Sequence, residues 1–415
     1  GLWGMGPDGA YDEQASAYNQ YLHDKGYEGE NPWHDFANAG LDAEGNIASG
    51  WLYGNSHLPA NIAEEDSETP WLTQQAIKFL EEKADKDKPW LCHVSYIKPH
   101  WPYIVPAPYH KLYGPESFLA PIRDTAELDA PHPVYAAFAQ NAIGKAFRNE
   151  EVREKVLGAY MGLIKQIDDQ MGVLFDYLKS SGQMENTMIV ATSDHGDYLG
   201  DHWLGEKDLF HNPSVQVPLI IYDPSTPADA GRGSVCDALV EAIDLAPTFT
   251  DFMAGAVADE WLEGRSLIPL LSSSPPRDWR DYVISEYDYS MSPMAAKLGI
   301  APKDARLFMV ADDRWKLVHC EGGLPPMLFD LKEDPDELND LGRHLDYQEA
   351  RKHGYAMLHD WALRCGQRTT LSTNEIVSNR GKSRRKGSDL GLAKESDAEA
   401  EILEKYTGKP PARPI

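Results

Sequence analysis

The longest hydrophobic pattern in this chain has the period of an α-helix. Residues 150–180 carry apolar side chains at every third or fourth position, from Val156 to Leu178, with polar residues between them. This spacing predicts a long amphipathic helix, with Asn149 as its N-cap and Gly182 just beyond its end. Shorter patterns of the same kind predict helices at residues 71–84, 236–253 and 347–365.

A second pattern consists of short, continuous runs of apolar and β-branched residues, which are typical of strands. Such runs occupy residues 90–96, 187–192 and 217–222. Residues 187–192 have the composition of a central parallel strand that is buried on both faces. These runs predict an α/β fold in which helices flank a mixed, mostly parallel sheet.

The carboxyl-terminal part of the chain changes to short strands in close succession. Four candidate strands lie at residues 282–287, 307–310, 315–320 and 327–331. Asp312 and Asp313 provide a tight turn between the middle two. We therefore expect a small antiparallel sheet that is separate from the main sheet.

These changes in pattern divide the chain into four predicted regions. They are an irregular insertion at 1–66, an α/β core at 67–275, an antiparallel subdomain at 276–366 and a polar tail or oligomerisation arm at 367–415. A basic cluster at 380–386 lacks the interleaved aromatic residues of a nucleic-acid-binding segment. We expect the tail to be solvated or to clasp a neighbouring subunit.

Side chains suited to metal binding directly follow the second of the core strands. Asp194 and His195 lie at its carboxyl end, where ligands bind in open α/β sheets, and a carboxylate beside an imidazole suits a divalent cation. His100 follows the strand at 90–96, and Lys207 follows the Asp-His pair. If the two strands are parallel neighbours, all four side chains converge on one rim of the sheet. Such a set fits displacement at a tetrahedral anion, in which Lys207 neutralises the anion and His100 protonates the departing oxygen.

Several of these residues also have a purely structural interpretation. An Asp-His pair after a strand can cap a turn without binding a metal. His202 and His211 could contact a substrate, or could orient the Asp-His pair through hydrogen bonds. Asp168 and Asp169 lie opposite the apolar stripe of the long helix, where charged residues usually form a solvated face, so we exclude them from the predicted site.

A series of short motifs runs along roughly residues 70–365, at 99–102, 160–172, 193–196, 207, 217–221, 263–267, 314–317 and 328–335. In these motifs and their order the chain resembles the sulfatase branch of the alkaline phosphatase superfamily. His195, in place of the asparagine common in arylsulfatases, and residues 210–213 are more similar to the phosphonate monoester hydrolase group.

The resemblance implies an alkaline-phosphatase-like catalytic core at 67–275 and a hydrolase of phosphonate and phosphate monoesters and diesters, with promiscuous sulfatase activity. It implies one divalent metal ion (Ca, Mn, Mg or Zn), held in part by Asp194 and His195, and a His100 that contacts the transferred group or the leaving oxygen. It also implies a covalent intermediate on a formylglycine nucleophile, which the family makes from the first residue of a Cys-x-Pro-x-Arg or Ser-x-Pro-x-Arg segment. The phosphonate monoester hydrolase group forms tetramers through extended carboxyl-terminal contacts, with which an arm at 367–415 is consistent.

Neither the nucleophile segment nor the family's first strand, with its paired acidic ligands, is found in this chain. None of its four cysteines, Cys92, Cys236, Cys320 and Cys365, is followed by the required Pro and Arg. We therefore expect an amino-terminally truncated piece that is inactive by itself. The alternatives are an aryl or alkyl sulfatase, or a non-catalytic subunit that binds anions or partners.

The charge of the chain limits its partners. A formal net charge of −27 disfavours nucleic acid and anionic membranes, and no apolar run approaches the roughly 20 residues that span a bilayer. We expect a small anionic ester as substrate, attracted locally by the metal and Lys207. Four scattered cysteines do not form a disulfide framework and are compatible with the cytoplasm.

Overall fold

A computed structural model describes residues 16–82, 88–255, 262–272, 276, 278–364 and 373–379. Its helices are α1 (Ser16–Asp24), α2 (Glu68–Glu82), α3 (Pro133–Ala139), α4 (Ala142–Phe147), α5 (Glu150–Ser180), α6 (Asn212–Val215), α7 (Leu245–Phe252), α8 (Pro293–Lys297), α9 (Gln348–Arg364) and α10 (Thr373–Asn379). Its strands are β1 (Ala39–Leu41), β2 (Ile47–Ser49), β3 (Ile189–Thr192), β4 (Leu219–Tyr222), β5 (Val283–Asp288), β6 (Arg306–Ala311), β7 (Trp315–Cys320) and β8 (Met327–Asp330).

The chain forms two compact units. The first comprises the described residues within 1–242 and 268–358 and contains the eight strands given above, and the second comprises the described residues within 243–267 and from 359 onward. The predicted region boundaries at residues 66, 275 and 366 stay predictions. Most of the predicted arm, including the basic cluster at 380–386, lies outside the described residues.

The long helix α5 confirms the helical pattern at 150–180. The Asn149 side chain accepts a hydrogen bond from the Glu151 backbone N–H at 3.1 Å, which satisfies a free donor of the first turn. Gly182 follows the helix with φ +72°, a conformation that suits glycine. The apolar stripe of α5 buries Val156 and Leu163, so the helix packs by the face that its spacing predicts.

The predicted antiparallel sheet in the carboxyl-terminal part of the chain is also confirmed. Its four strands pair in the order β5-β6-β7-β8, and each neighbouring pair is antiparallel. The carboxylate of Asp312 accepts hydrogen bonds from the backbone N–H groups of Arg314 (2.8 Å) and Trp315 (2.6 Å), which closes the predicted turn. Phe138 of α3 and Phe210 belong to the same buried cluster as the strand residues. The chain near residue 210 therefore packs against this sheet.

The main sheet differs from the prediction in its pairing. β3 pairs antiparallel with β4, from Ile189 opposite Tyr222 to Thr192 opposite Leu219, and Ile220 of β4 is 69% exposed. Residues 187–192 are thus not a parallel strand buried on both faces within the part of the chain that the structure describes. The apolar composition reports an extended segment, but the direction of pairing depends on which other segment supplies the backbone donors and acceptors.

The strand predicted at residues 90–96 is not observed. Leu91 is 60% exposed, and its neighbours along this segment alternate between exposed and half-buried. No strand partner pairs with this segment among the described residues. Alternation reports the extended backbone, whereas a strand also requires a ladder of hydrogen bonds.

The helix predicted at 236–253 is shorter in the structure, where α7 begins at Leu245. Pro247 explains this start, because proline is tolerated in the first turn of a helix but removes a hydrogen bond and clashes in its interior. Within the described ranges, none of the helices combines the length and the apolar character that a membrane span requires.

Candidate active site

The turn after β3 presents Asp194 and His195. The Ser193 hydroxyl donates to the His195 carbonyl oxygen at 2.7 Å, and the His195 backbone N–H donates to Asp194 Oδ1 at 3.0 Å. The Asp194 side chain is largely exposed and the His195 ring is partly exposed. The turn therefore leaves both side chains accessible while fixing the backbone beneath them.

Gly196 closes this turn against a second loop. Its N–H donates to the Ser214 carbonyl oxygen at 2.7 Å. A Cβ atom at this position would lie 2.0 Å from the Pro213 carbonyl oxygen, well inside any contact that real Cβ atoms make. The close approach of these two backbones requires glycine here.

His195 presents one ring nitrogen to a ligand. Its Nδ1 lies 2.8 Å from the Gly196 carbonyl oxygen, and because a carbonyl only accepts, Nδ1 carries the proton. Nε2 is then an acceptor in the neutral ring, and it lies 3.5 Å from Asp194 Oδ2. One imidazole nitrogen and one carboxylate oxygen are thus held side by side.

His100 approaches from a different segment and meets Lys207. His100 Nδ1 lies 2.8 Å from the Trp101 carbonyl oxygen and therefore donates to it. His100 Nε2 is then the acceptor, and the Lys207 ammonium donates to it over 2.6 Å. Partial burial lowers the pKa of His100 below its ordinary value, and the positive charge of Lys207 acts in the same direction. The His100 and His195 rings lie edge to face with centroids 6.0 Å apart, so the structure brings all four predicted site residues together.

Asp197 is a structural member of this region that the sequence interpretation missed. Its Oδ1 accepts hydrogen bonds from the backbone N–H groups of Leu199 and Glu206, both at 3.1 Å, and its Oδ2 accepts from the Tyr103 hydroxyl at 2.6 Å. Burial raises the pKa of Asp197 to about 6. The only sequence signal was its place between the Asp-His pair and Lys207.

The segment held by Asp197 has an unusual backbone. Left-handed φ angles occur at Leu199, Gly200, His202, Trp203 and Glu206. Such conformations are costly for non-glycine residues and persist only where the surroundings enforce them. The segment therefore leads from Asp197 to Lys207 along a fixed path.

His202 and His211 have buried, supporting positions. They stack with ring centroids 4.1 Å apart, and both are buried. His202 Nδ1 lies 2.7 Å from a Glu127 carboxylate oxygen, and His211 Nδ1 lies 2.9 Å from the Tyr198 hydroxyl. Burial lowers the pKa of His211 well below its ordinary value. The hydrogen bonds of the two rings thus go to Glu127 and Tyr198 and not to Asp194 or His195. The rings support the loop between Tyr198 and His211, which neither of the two roles considered from the sequence describes.

Asp168 and Asp169 lie on the outer face of α5, as the periodicity indicates. Lys165, one turn before them, forms ion pairs with both carboxylates, at 3.1 Å with Asp168. Neither carboxylate takes part in the cluster around His100.

Asp194 and His195 fit part of a divalent metal shell. The carboxylate and the unprotonated Nε2 are donors that such ions accept, and their 3.5 Å separation lets both reach one ion. Across the described ranges, no group of three or more His, Cys, Asp or Glu side chains is arranged to hold a metal. Two donors are fewer than divalent ions usually take, so a metal at this turn would need further ligands from other groups.

Protein-family models and known proteins both show similarity to this chain. The family model described as Sulfatase matches residues 16–256, and the model described as N-sulphoglucosamine sulphohydrolase, C-terminal, matches residues 200–361. The chain is 32% identical to the multifunctional alkaline phosphatase superfamily protein PehA of Trinickia caryophylli, over 76% of this chain and 63% of that protein. It is 28% identical to an arylsulfatase of Clostridium perfringens, over 81% of this chain and 64% of that protein.

Solved structures give the same answer for the fold. The phosphonate monoester hydrolase of Silicibacter pomeroyi matches with a TM-score of 0.76 and 28% identity, over 86% of this chain and 70% of that chain. The phosphonate monoester hydrolase of Agrobacterium radiobacter matches with a TM-score of 0.71 and 28% identity, over 85% of this chain and 70% of that chain. The fold is α/β and alkaline-phosphatase-like, as the sequence predicts, and the chain spans less than two thirds of the length of the two curated relatives. The chain belongs to the sulfatase family.

Proposed function

We propose that the protein carrying this chain hydrolyses phosphonate and phosphate monoesters and diesters, with sulfatase activity as a secondary property. The observation that carries the proposal is the contact between Lys207 and His100 beside the accessible Asp194 and His195 pair. This arrangement combines a cation for an anionic group with an imidazole and two metal-ligand donors. The similarity to two phosphonate monoester hydrolases supports the proposal that phosphonate and phosphate esters are preferred over sulfate esters.

Lys207 and His100 have different roles in hydrolysis of the ester. Lys207 is the cation that offsets negative charge on the nonbridging oxygens of the substrate. His100 is neutral in the free protein, because Nε2 accepts from Lys207 and burial lowers the pKa of the ring. The negative charge of a bound ester raises the pKa of His100. The ring then takes up a proton from solvent at Nε2, in place of the hydrogen bond from Lys207, and delivers this proton to the leaving oxygen.

Asp194 and His195 would hold the divalent cation expected in this family. When bound, such a cation polarises the phosphoryl or sulfuryl oxygens and so favours nucleophilic attack. The nucleophile is proposed to be a formylglycine outside this chain. The metal species, a tetrameric assembly and a cytoplasmic location are further proposals.

Turnover of a matched set of esters tests the function. The protein expressed from the complete reading frame is assayed with nitrophenyl esters of a phosphonate, a phosphate and a sulfate at equal concentration. We expect the highest kcat/KM with the phosphonate or phosphate. A sulfate preference would favour the alternative of an aryl or alkyl sulfatase, which the similarity to the arylsulfatase supports. Binding of inorganic phosphate without turnover of any ester would favour the non-catalytic alternative.

A pair of aspartate variants tests the site itself. Asp194→Ala should remove both bound metal, measured by elemental analysis, and activity. Asp168→Ala is the matched control, because its carboxylate pairs with Lys165 on an exposed helix face and should leave both properties unchanged. Full metal content in the Asp194→Ala protein would contradict the ligand assignment.

A further inference from the structure

A buried ion pair connects the antiparallel subdomain to the candidate site. Lys316 of β7 and Glu337, in the loop after β8, lie with Nζ and Oε1 2.6 Å apart, and their side chains are only 2% and 1% exposed. Burial of two charges is costly, and a hydrophobic pair of similar volume is often at least as stable. Stability alone therefore does not account for the presence of this pair.

The remaining hydrogen bonds of the pair are directed at one short stretch of backbone. Lys316 Nζ donates to the Phe210 carbonyl oxygen at 2.9 Å and to Asn212 Oδ1 at 2.8 Å. Glu337 Oε2 accepts from the Asn212 backbone N–H at 2.6 Å. The pair thus fixes residues 210–212 in relation to the packed sheet.

The same stretch continues into the two halves of the candidate site. The Ser214 hydroxyl donates to the Lys207 carbonyl oxygen at 2.8 Å. The Ser214 carbonyl oxygen accepts from the N–H of Gly196 at 2.7 Å, in the turn that presents His195. A displacement of residues 210–214 would therefore move Lys207 and His195 relative to each other.

We propose that Lys316 and Glu337 are positioning residues for the candidate active site. The proposal rests on the proposed function, because the ion pair would fix the position of Lys207 relative to His100 and His195, the residues to which that function is assigned. The sequence around Lys316, from Arg314 to Leu317, contains no local pattern that would place Lys316 near the candidate site. The geometry makes the carboxyl-terminal sheet part of the catalytic scaffold, since a misplacement of about 1 Å can cost about 100-fold in rate.

A double replacement separates positioning from stability. Single removal of either charge would leave its partner buried and unpaired, so the test uses Lys316→Met with Glu337→Met in the protein expressed from the complete reading frame. Lys332→Met with Asp313→Met is the matched control, because it removes an exposed ion pair with Nζ and Oδ2 2.7 Å apart in the same subdomain. We expect the test variant to lose about 10- to 100-fold in kcat, while its Tm stays within a few degrees of the wild type and the control keeps full activity.

Amide hydrogen exchange supplies a readout that does not depend on turnover. In the folded test variant, exchange at the amides of Asn212 and Gly196 should be at least about tenfold faster, because their acceptors are lost or displaced. A folded variant with wild-type kcat and wild-type exchange at both amides would overturn the proposal. If the wild type turns over no ester, the proposed function fails, and the exchange at Gly196 alone decides whether the ion pair controls the turn.

Ser214→Ala keeps the test decisive if the double variant does not fold. This substitution removes only the hydroxyl that holds the Lys207 carbonyl oxygen. We expect a loss of about tenfold in kcat with a nearly unchanged Tm. A folded Ser214→Ala protein with wild-type kcat and wild-type exchange at Gly196 would overturn the proposed connection.

Discussion

The substitution Gly196→Ala tests how closely the two loops of the candidate site must approach. The added Cβ would lie 2.0 Å from the Pro213 carbonyl oxygen and 3.4 Å from the Ser214 Cα. The first distance is about 1.4 Å shorter than the 3.4 Å at which ordinary contact begins. Both atoms belong to the backbone, so no side-chain rotation relieves the overlap and the turn itself must move.

The energetic cost has two parts. Movement of the turn breaks the hydrogen bond from the Gly196 N–H to the Ser214 carbonyl oxygen, which costs about 1 kcal/mol. Overpacking of a close contact adds about 1–3 kcal/mol. We therefore expect the free energy of unfolding to fall by about 2–4 kcal/mol, which lowers Tm by about 2–5 °C in a protein of this size, because the entropy of unfolding grows with chain length. The displaced turn also carries Asp194 and His195, so metal binding should weaken.

Gly172→Ala is the matched control for this experiment. Gly172 lies in α5, and a Cβ there would meet nothing within 4 Å. Since alanine is favoured over glycine in a helix by about 1 kcal/mol, this variant should be slightly more stable than the wild type. Thermal unfolding followed by circular dichroism gives Tm, and elemental analysis gives metal content. A Gly196→Ala protein with wild-type Tm and full metal would refute the account of the close approach.

Other changes separate the roles of the site residues in the protein expressed from the complete reading frame. His100→Ala should slow an alkyl ester by about 10- to 100-fold more than a nitrophenyl ester, because only the poor leaving group needs a proton; equal losses in steady-state assays would leave His100 as a positioning residue. Lys207→Ala should slow both esters by similar factors, because its charge acts on the nonbridging oxygens, and a loss confined to the alkyl ester would contradict this role. Deletion of residues 367–415 should lower the number of subunits per particle, obtained by light scattering from the particle mass and the mass of the shortened chain, and an unchanged number of subunits would mean that the arm is a free tail.

The sequence predicts best those elements whose stability is decided locally. The period of α5 over 31 residues determines the type of that element. The close spacing of β6, β7 and β8 also determines their neighbours, since short connections favour antiparallel pairing. α7 shows the limit of a hydrophobic pattern, because the pattern extends from residue 236 but Pro247 moves the start of the helix to Leu245.

Pairing partners in the main sheet are not determined locally. Residues 90–96 have the composition of a strand, yet no strand pairs with them in the described part of the chain. β3 has the composition of a parallel strand but pairs antiparallel with β4. The composition of a segment indicates whether the segment is buried and extended. It does not identify the other segment that completes its hydrogen bonds.

The candidate site could nevertheless be assembled from the sequence, because its residues follow the ends of extended segments whatever their pairing. His100 lies in the loop after residues 90–96, and the contact of His100 with Lys207 does not depend on a ladder between those segments. The sequence could not predict the contacts that hold these residues in position. Asp197 acts through backbone N–H groups, and Lys316 and Glu337 act across more than 100 positions of the chain on residues 210–212. Residue types that suit a reaction are visible in a local motif, whereas the contacts that hold them at a working distance are long-range and follow only from the packed fold.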